Sequence, residues 1–297
     1  MKTILIPTDL SPESENALAY AVEFSLSVPE KIKLILLHVF ETSVANVDTT
    51  AALMLTDLGA IEQETIDSIN QMMAKHTRAT GLNCSVVTSR GFLENEIIAI
   101  AKQHHADYIF MGTTGAKGFF SGLMGSNTSG VIEVAPCPVL AIPAKAMFSP
   151  IRKIVFASNF SENDTADFSR VVKLAGLYNS TIVLLHLSDK EEEVLDLQVL
   201  EFVRNQIKNK TGYAKIEVAA IHAHSFVDGL EKEIAKHNAA MLVMAPRKHG
   251  FIDNLLGRSR TKQMVLHTKT PLLALPLAAD AESLAAPGNT SLAGAEL

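Results

Sequence analysis

The 297-residue sequence contains few cysteines, no long apolar run and no excess of basic residues. Cys84 and Cys137 form no CxxC pair, so we interpret both as buried thiols in a reducing compartment. No apolar run approaches the roughly 20 residues that a membrane span needs, and MKTILIPTDLSPE at the start is too weakly apolar for a signal peptide. The net charge of −6 argues against non-specific nucleic-acid binding. We therefore expect a cytoplasmic, globular protein that binds neither nucleic acid nor membrane.

The sequence repeats itself, because blocks from the first half recur in the same order in the second half. KTILIPTDLSPESENAL, which begins at residue 2, matches the polar and apolar pattern of RKIVFASNFSENDTADF, which begins at residue 152. Three further blocks of the first half, LILLHVF, AKQHHADYIFMG and CPVLAIP, recur as IVLLHLS, AKHNAAMLVMA and TPLLALP. This repeat predicts tandem homologous domains at residues 1–146 and 150–277. The tail, 278–297, is rich in small residues, and we expect it to be disordered, with a short docking helix at 280–286 as the alternative.

Each half follows the order β-α-β-α-β-α-β-α-β, with strands that are short, continuous apolar runs. This alternation predicts an α/β fold of two tandem doubly wound domains, each with a parallel sheet flanked by helices. Ser11 is expected to cap the first helix, with Pro12 in its first turn. Ligands of such sheets bind beyond the carboxyl ends of the strands. The first half is expected to have strands near 2–7, 33–39, 84–88, 108–112 and 138–142, and helices near 50–77 and 126–135.

The last strand of each half, 138–143 and 271–276, is bracketed by prolines, as edge strands often are. An open apolar edge invites pairing with another strand. We predict that the two edges pair with each other inside the chain, across a pseudo-twofold axis. Pairing between two chains, and hence a homodimer, remains open.

A glycine-rich loop follows the fourth expected strand, with the spacing Gly112-x2-Gly115-x9-Gly125-Ser126. Glycine at this density costs conformational entropy, which indicates that something approaches the backbone closely. The loop N–H groups, the N-terminus of the next helix and the hydroxyls of Ser126 and Thr128 together suit a phosphate. The alternative is a flexible surface connection in which Ser126 only caps the helix. No lysine follows in the Walker pattern.

These motifs together resemble the universal stress protein family. The resemblance rests on IPTD at residues 6–9, LLHV at 36–39 and the glycine spacing before the last helix, and it extends over roughly 1–277. It implies a five-stranded parallel sheet in each domain, of the adenine nucleotide alpha hydrolase-like type. Because members with the full glycine motif typically bind ATP, often with a divalent metal, the resemblance implies ATP with Mg²⁺ or Mn²⁺ as the cofactor. It also implies a cytoplasmic, stress-response regulatory module with no metal ligands assigned to protein side chains.

The resemblance further implies where the nucleotide binds. Asp9 suits the adenosine part, since a carboxylate accepts hydrogen bonds from ribose or adenine donors, and Val39 would meet adenine through its main chain. The alternative role for Asp9 is to cap the helix that begins at Ser11. The implied ATP-binding residues are Pro7, Thr8, Asp9, Val39, Gly112, Thr113, Thr114, Gly115, Ala116, Lys117, Gly118, Gly125, Ser126, Asn127 and Thr128.

The second half departs from this pattern. Ala245 stands where the first half has Gly112, Arg258 corresponds to Ser126, and Asn159 replaces Asp9. The Ala245 Cβ and the Arg258 side chain would crowd a phosphate, so we expect a degenerate domain that serves as a partner. Its basic residues form either a solvated rim or an anion site, and they are Arg247, Lys248, His249, Arg258, Arg260 and Lys262.

Two further function classes remain open. A slow ATPase is one, but the sequence has no Walker lysine, no paired carboxylates near the glycine loop and no nucleophile elbow, so no catalytic residue is predicted. An interaction scaffold that works without nucleotide is the other, and the degenerate second half favours it. His186, His222 and His224 lie near strand ends without a carboxylate or thiolate partner, which is a weak case for zinc. We interpret them as ordinary polar or packed residues.

Overall fold

The fold comes from a computed structural model, which describes residues 1–41, 51–113, 126–158, 165–188, 196–245 and 268–276. In the first half these residues form β1 (Lys2–Pro7), α1 (Pro12–Leu26), β2 (Ile32–Glu41), α2 (Ala51–Thr77), β3 (Asn83–Gly91), α3 (Leu93–Gln103), β4 (Tyr108–Thr113), α4 (Ser126–Val134) and β5 (Val139–Pro143). In the second half they form β6 (Lys153–Ala157), α5 (Thr165–Tyr178), β7 (Thr181–Ser188), α6 (Leu197–Thr211), β8 (Ile216–His222), α7 (Phe226–His237), β9 (Met241–Met244) and β10 (Leu272–Ala274). The expected alternation of strands and helices is confirmed over the whole first half and, in the second half, from β6 to β9. The helix expected between β9 and β10 falls outside the described residues. The tail beyond residue 277 lies outside the described residues.

All ten strands belong to one sheet, in the order β3-β2-β1-β4-β5-β10-β9-β6-β7-β8. Neighbouring strands within each half are parallel, whereas β5 and β10 are antiparallel, with Leu140 opposite Leu273. The two edge strands therefore pair with each other inside the chain, as their sequences predict. Because the strands of the two halves run in opposite directions, their carboxyl ends lie at opposite margins of the sheet.

Each face of the sheet carries one apolar core that is continuous over both halves. On one face, Ile69 of α2 and Ile207 of α6 belong to the same cluster as Phe110 and Phe156 of the sheet. On the other face, Ile97 of α3, Val131 of α4 and Leu230 of α7 pack over the remaining strand side chains. Burying apolar area on both faces of a parallel sheet is the main stabilising contribution in this fold class.

Contacts between α1 and α5 also join the two halves. The Tyr178 hydroxyl lies 2.9 Å from the Ser27 hydroxyl, and its ring centroid lies 5.8 Å from that of Phe24. Burial raises the pKa of Tyr178 to about 12, which keeps its hydroxyl neutral. Near the start of the connection between the halves, the Asn16 amide donates to the carbonyls of Pro143 and Ala146 at 3.2 and 3.0 Å.

Both cysteines are free thiols, and Cys137 is buried while Cys84 is half-buried. Burial raises the pKa of the Cys84 thiol, and it raises that of Cys137 to about 12. Both groups are therefore neutral near pH 7 and poorly reactive. Within the described ranges, no helix is both long and apolar enough to cross a bilayer.

Candidate functional site

Thr8 links the end of β1 to both β2 and α1 through hydrogen bonds. Its N–H donates to the carbonyl of Leu37 at 2.8 Å, and its buried hydroxyl lies 2.9 Å from that of Ser14. The N–H of Leu10 donates to the same Thr8 hydroxyl at 3.1 Å. The chain therefore leaves the sheet through a tight turn whose polar groups are bonded locally.

Asp9 follows Thr8, and its side chain is exposed at the carboxyl end of β1. Its Oδ1 accepts hydrogen bonds from the backbone N–H of Ser11, at 3.0 Å, and from the Ser11 hydroxyl. Partial burial on its own would raise the pKa of Asp9, but the hydrogen bonds from Ser11 and Ser14 outweigh it and lower that pKa. Asp9 is thus an ionised acceptor that also holds the turn into α1.

The turn is closed by Leu10, which has a left-handed backbone with φ of +63°. This conformation costs a non-glycine residue roughly 1–2 kcal/mol. Ser11 then caps α1, as predicted, because its hydroxyl accepts the N–H of Ser14 at 3.2 Å. Pro12 stands in the first turn, which supplies the expected helix start.

Val39 lies on β2 just beyond the point where β1 ends. The β1–β2 ladder stops at the Pro7–Leu37 pair, while β2 continues beside β3 as far as Glu41. Residues two apart in a strand direct their N–H and C=O to the same side, so Val39 directs both groups past the end of β1. The main chain of Val39 and the carboxylate of Asp9 therefore flank the same margin of the sheet.

Gly112, the next-to-last residue of β4, lies against the first turn of α1. A Cβ added to this glycine would lie 2.3 Å from the carbonyl oxygen of Glu13 and 3.0 Å from the backbone nitrogen of Ser14. These distances are too short for any side chain unless the backbone moves. The sequence alone indicated that something approaches this backbone, and at Gly112 a close neighbour is the start of α1.

Thr128, in the first turn of α4, bonds back to β4. Its buried hydroxyl donates to the carbonyl of Gly112 at 3.3 Å, which links the two ends of the glycine loop. Thr113 is also buried, and Asn127 is exposed at the start of the helix. The helix itself runs from Ser126 to Val134, close to the expected 126–135.

Other predicted site residues lie outside the described part of the chain. These are Thr114, Gly115, Ala116, Lys117, Gly118 and Gly125, together with the side chain of Ser126. In the second half, Asn159 and the basic residues from Arg247 to Lys262 are outside it as well. Ala245 is described, and it packs against the same apolar cluster as Phe156. The crowding expected around Arg258 stays a prediction.

Three comparisons with known proteins bear on this arrangement. The sequence model of the universal stress protein family matches residues 1–143 and again 150–276. The chain belongs to the universal stress protein family. Two matches that cover most of the chain make it a tandem member, in agreement with the sequence repeat.

Relatives within the universal stress protein family match one half of the chain at a time. Universal stress protein MJ0531 of Methanocaldococcus jannaschii is 30% identical over 142 residues, which is 48% of this chain and 81% of that protein. Universal stress protein Sll1654 of Synechocystis is 29% identical over 142 residues, 48% of this chain and 85% of that protein. A crystal structure of a universal stress protein from Archaeoglobus fulgidus matches 92% of this chain and 98% of its own, with a TM-score of 0.67 and 20% identity. That last likeness confirms the two-domain fold.

Sequence reasoning missed a cluster of side chains that lies close to Val39, near the carboxyl ends of β2 and β3. Phe40 and Arg90 are register neighbours on β2 and β3, and the Arg90 guanidinium lies 6.0 Å from the centre of the Phe40 ring. Arg90 also donates to Glu62 of α2, and the His38 ring meets Phe40 edge-on at 4.7 Å. The alternation of side chains along β2 places His38 and Phe40 on one face, which was the available signal.

The described histidines of the second half form no metal centre. His222 ends β8, His224 lies beyond the strand, and their rings meet edge-to-face with centroids 4.9 Å apart. His186 is buried on β7 and stands opposite Ala220. Within the described ranges, no group of three metal-ligating side chains comes together.

Proposed function

We propose that the first half of this universal stress protein binds one adenine nucleotide, ATP, at the carboxyl end of β1. The observation that carries the proposal is that the Val39 main chain and the ionised Asp9 carboxylate lie at the same margin of the sheet. Parallel α/β sheets bind ligands at such margins. A backbone N–H and C=O offer one donor and one acceptor to a planar base, and a carboxylate accepts from ribose hydroxyls.

The described ends of the glycine loop fit a phosphate chain. Gly112 and Thr128 bring the end of β4 and the start of α4 together, so the loop leaves and returns at the same margin as Asp9. The N-terminus of α4 carries partial positive charge toward that margin. We infer that Thr113, Thr114, Gly115, Ala116, Lys117, Gly118, Gly125, Ser126, Asn127 and Thr128 surround the ribose and phosphates there.

Mg²⁺ or Mn²⁺ would be held chiefly by the nucleotide in this proposal. Magnesium commonly binds through substrate phosphates and water with few protein ligands, so the proposed site does not require a carboxylate cluster. The cation would neutralise part of the charge of the phosphates. We assign no catalytic residue, and the proposal is a binding function rather than an enzymatic one.

The second half is proposed to be a partner domain that binds no nucleotide. The antiparallel β5–β10 pair fixes it to the first half, and Asn159 and Arg258 replace the carboxylate and small hydroxyl of the first site. ATP bound near Asp9 would then alter a surface that a partner recognises, which is how a cytoplasmic regulatory module would respond to the nucleotide. A scaffold that acts without nucleotide is the competing function, since the joined sheet would serve it equally well.

The experiment that tests this proposal is a measurement of nucleotide content. The purified chain is denatured, the released nucleotides are separated, and moles per chain are determined before and after incubation with ATP and Mg²⁺. One ATP per chain is expected, and the double variant Gly115→Val with Ser126→Arg should bind none while unfolding at the wild-type temperature. Two per chain would refute the assignment of the second half. None, even after incubation, would favour the scaffold.

A further inference from the structure

The Thr8 carbonyl meets the His38 imidazole at the point where two strands separate. The Nδ1 atom of His38 lies 2.8 Å from the carbonyl oxygen of Thr8. Since a carbonyl only accepts, Nδ1 must carry the proton and donate, which fixes the tautomer of a neutral His38. The bond joins side chain to main chain across the same two strands that pair through Leu37 and Pro7.

This imidazole stands where the next rung of the ladder would form. The Thr8 N–H already donates to the Leu37 carbonyl, and in a continued parallel ladder the Val39 N–H would donate to the Thr8 carbonyl. Among the described residues no backbone hydrogen bond joins Val39 to Thr8, and the carbonyl accepts from His38 instead. The edge-on contact with Phe40 at 4.7 Å holds the ring in this position.

We propose that His38 ends the β1–β2 ladder and thereby sets the Val39 main chain as the group that selects adenine over guanine. This inference rests on the proposed nucleotide site. The Val39 N–H and C=O, which take no part in the β1–β2 ladder among the described residues, form a donor and acceptor pair facing the ligand margin. Adenine presents a ring-nitrogen acceptor beside an amino donor, whereas guanine presents a ring N–H donor beside a carbonyl acceptor. The fixed N–H and C=O of Val39 therefore match the hydrogen-bonding groups of adenine, whereas guanine would place donor against donor and acceptor against acceptor.

Two substitutions distinguish the effect of the hydrogen bond that His38 donates from the effect of the space that its side chain fills. His38→Leu places a carbon where Nδ1 lies and removes the bond that holds the Thr8 carbonyl toward the side chain. The carbonyl can then turn toward the Val39 N–H, and the ladder lengthens by one bond. His38→Asn keeps an amide nitrogen at the same distance along the side chain and preserves the donor. His186→Asn, at the equivalent histidine of the second half, is the matched control. If that buried site does not tolerate the change, Thr88→Val on β3 replaces it.

The first measurement is hydrogen exchange of the Val39 amide in nucleotide-free protein. We expect exchange at least about tenfold slower in His38→Leu than in wild type, because the amide becomes part of the ladder. His38→Asn and the control should exchange as wild type does. Unchanged exchange in His38→Leu would overturn the role of His38 as the residue that ends the ladder.

The second measurement is the affinity for ATP and for GTP by titration calorimetry, with thermal unfolding to verify each fold. We expect ATP binding about five- to tenfold weaker in His38→Leu, with a smaller preference for ATP over GTP, and recovery of both in His38→Asn. Wild-type affinity and preference in His38→Leu would overturn the inference. If the wild type binds no ATP, the proposed function fails together with the adenine assignment, while the exchange result still decides the ladder.

Discussion

Gly112 and Glu13 approach each other so closely that a Cβ on the glycine would lie 2.3 Å from the Glu13 carbonyl oxygen. The contact fits the end of β4 against the first turn of α1, the turn that begins just after Asp9 and is capped by Ser11. Any residue larger than glycine must push α1 away from the sheet. The margin around Asp9 would move with it.

Gly112→Ala should therefore destabilise the chain by about 1–3 kcal/mol, the usual cost of overpacking against atoms that cannot turn aside. Urea unfolding measures the change. Gly176→Ala is the matched control, because no described heavy atom lies within 4 Å of that added Cβ and the site is a helix of the second half. It should be neutral or stabilising by up to about 1 kcal/mol. Equal effects of the two substitutions would contradict the packing argument.

The sequence predicted well those features that depend on neighbours along the chain. The strands, the Ser11 cap and the Pro12 start follow from local pattern and are present. The pairing of β5 with β10 also followed, because each edge is marked by its own prolines. The sequence did not reveal why residue 112 must be glycine, because the contact of Gly112 with Glu13 depends on how α1 lies on the sheet.

The same limit explains the cluster of Phe40, Arg90 and Glu62. Its members come from three elements, and they meet only because β2 and β3 pair in one particular register beneath α2. A shift of one residue would move Arg90 to the other face of the sheet. No local pattern specifies that register, so only the folded chain brings the three side chains together.

Asp9→Asn should weaken ATP binding by about 10- to 100-fold, since a charged acceptor contributes roughly 1.5–3 kcal/mol to its hydrogen bonds. The fold should persist, because the asparagine oxygen still accepts the Ser11 N–H and the second half carries Asn159 at the equivalent position. Calorimetric titration with ATP and Mg²⁺ provides the test. Undiminished affinity would remove Asp9 from the proposed site and leave it as a turn residue only.

Glu15 gives a prediction about acid stability. Its Oε1 accepts from Lys75 at 2.8 Å and from His76 at 2.9 Å, and these hydrogen bonds lower the pKa of Glu15 below its usual 4.5. A lowered carboxyl pKa contributes stability that is present above the usual value and is lost as the pH falls through the lowered one. Glu15→Gln should thus be less stable than wild type at pH 7, by up to about 1 kcal/mol for a pair this exposed.

Chemical unfolding of the wild type and Glu15→Gln at several pH values distinguishes this linkage from a packing effect. The difference in the free energy of unfolding should persist from pH 7 down to about 5 and should shrink below that, as the Glu15 carboxylate is protonated. A difference that stays the same at pH 3 would show that the glutamine disturbs the contact between α1 and α2 by its shape.

Tyr178 and Ser27 offer a test of how firmly the halves are joined. Their hydroxyls are 2.9 Å apart, and Tyr178→Phe should cost about 0.5–1.5 kcal/mol of unfolding free energy, as should Ser27→Ala. The double variant should cost less than the sum, because both changes remove one shared bond. Strictly additive costs of the two single substitutions would show that the bond between Tyr178 and Ser27 does not join the halves.

The pKa of Tyr178 is raised from 10 to about 12, so the neutral hydroxyl adds stability that is present below pH 10 and is lost as the pH rises toward 12. Tyr178→Phe should accordingly be less sensitive than wild type to pH between 10 and 12, and identical alkaline profiles would contradict the raised pKa of Tyr178.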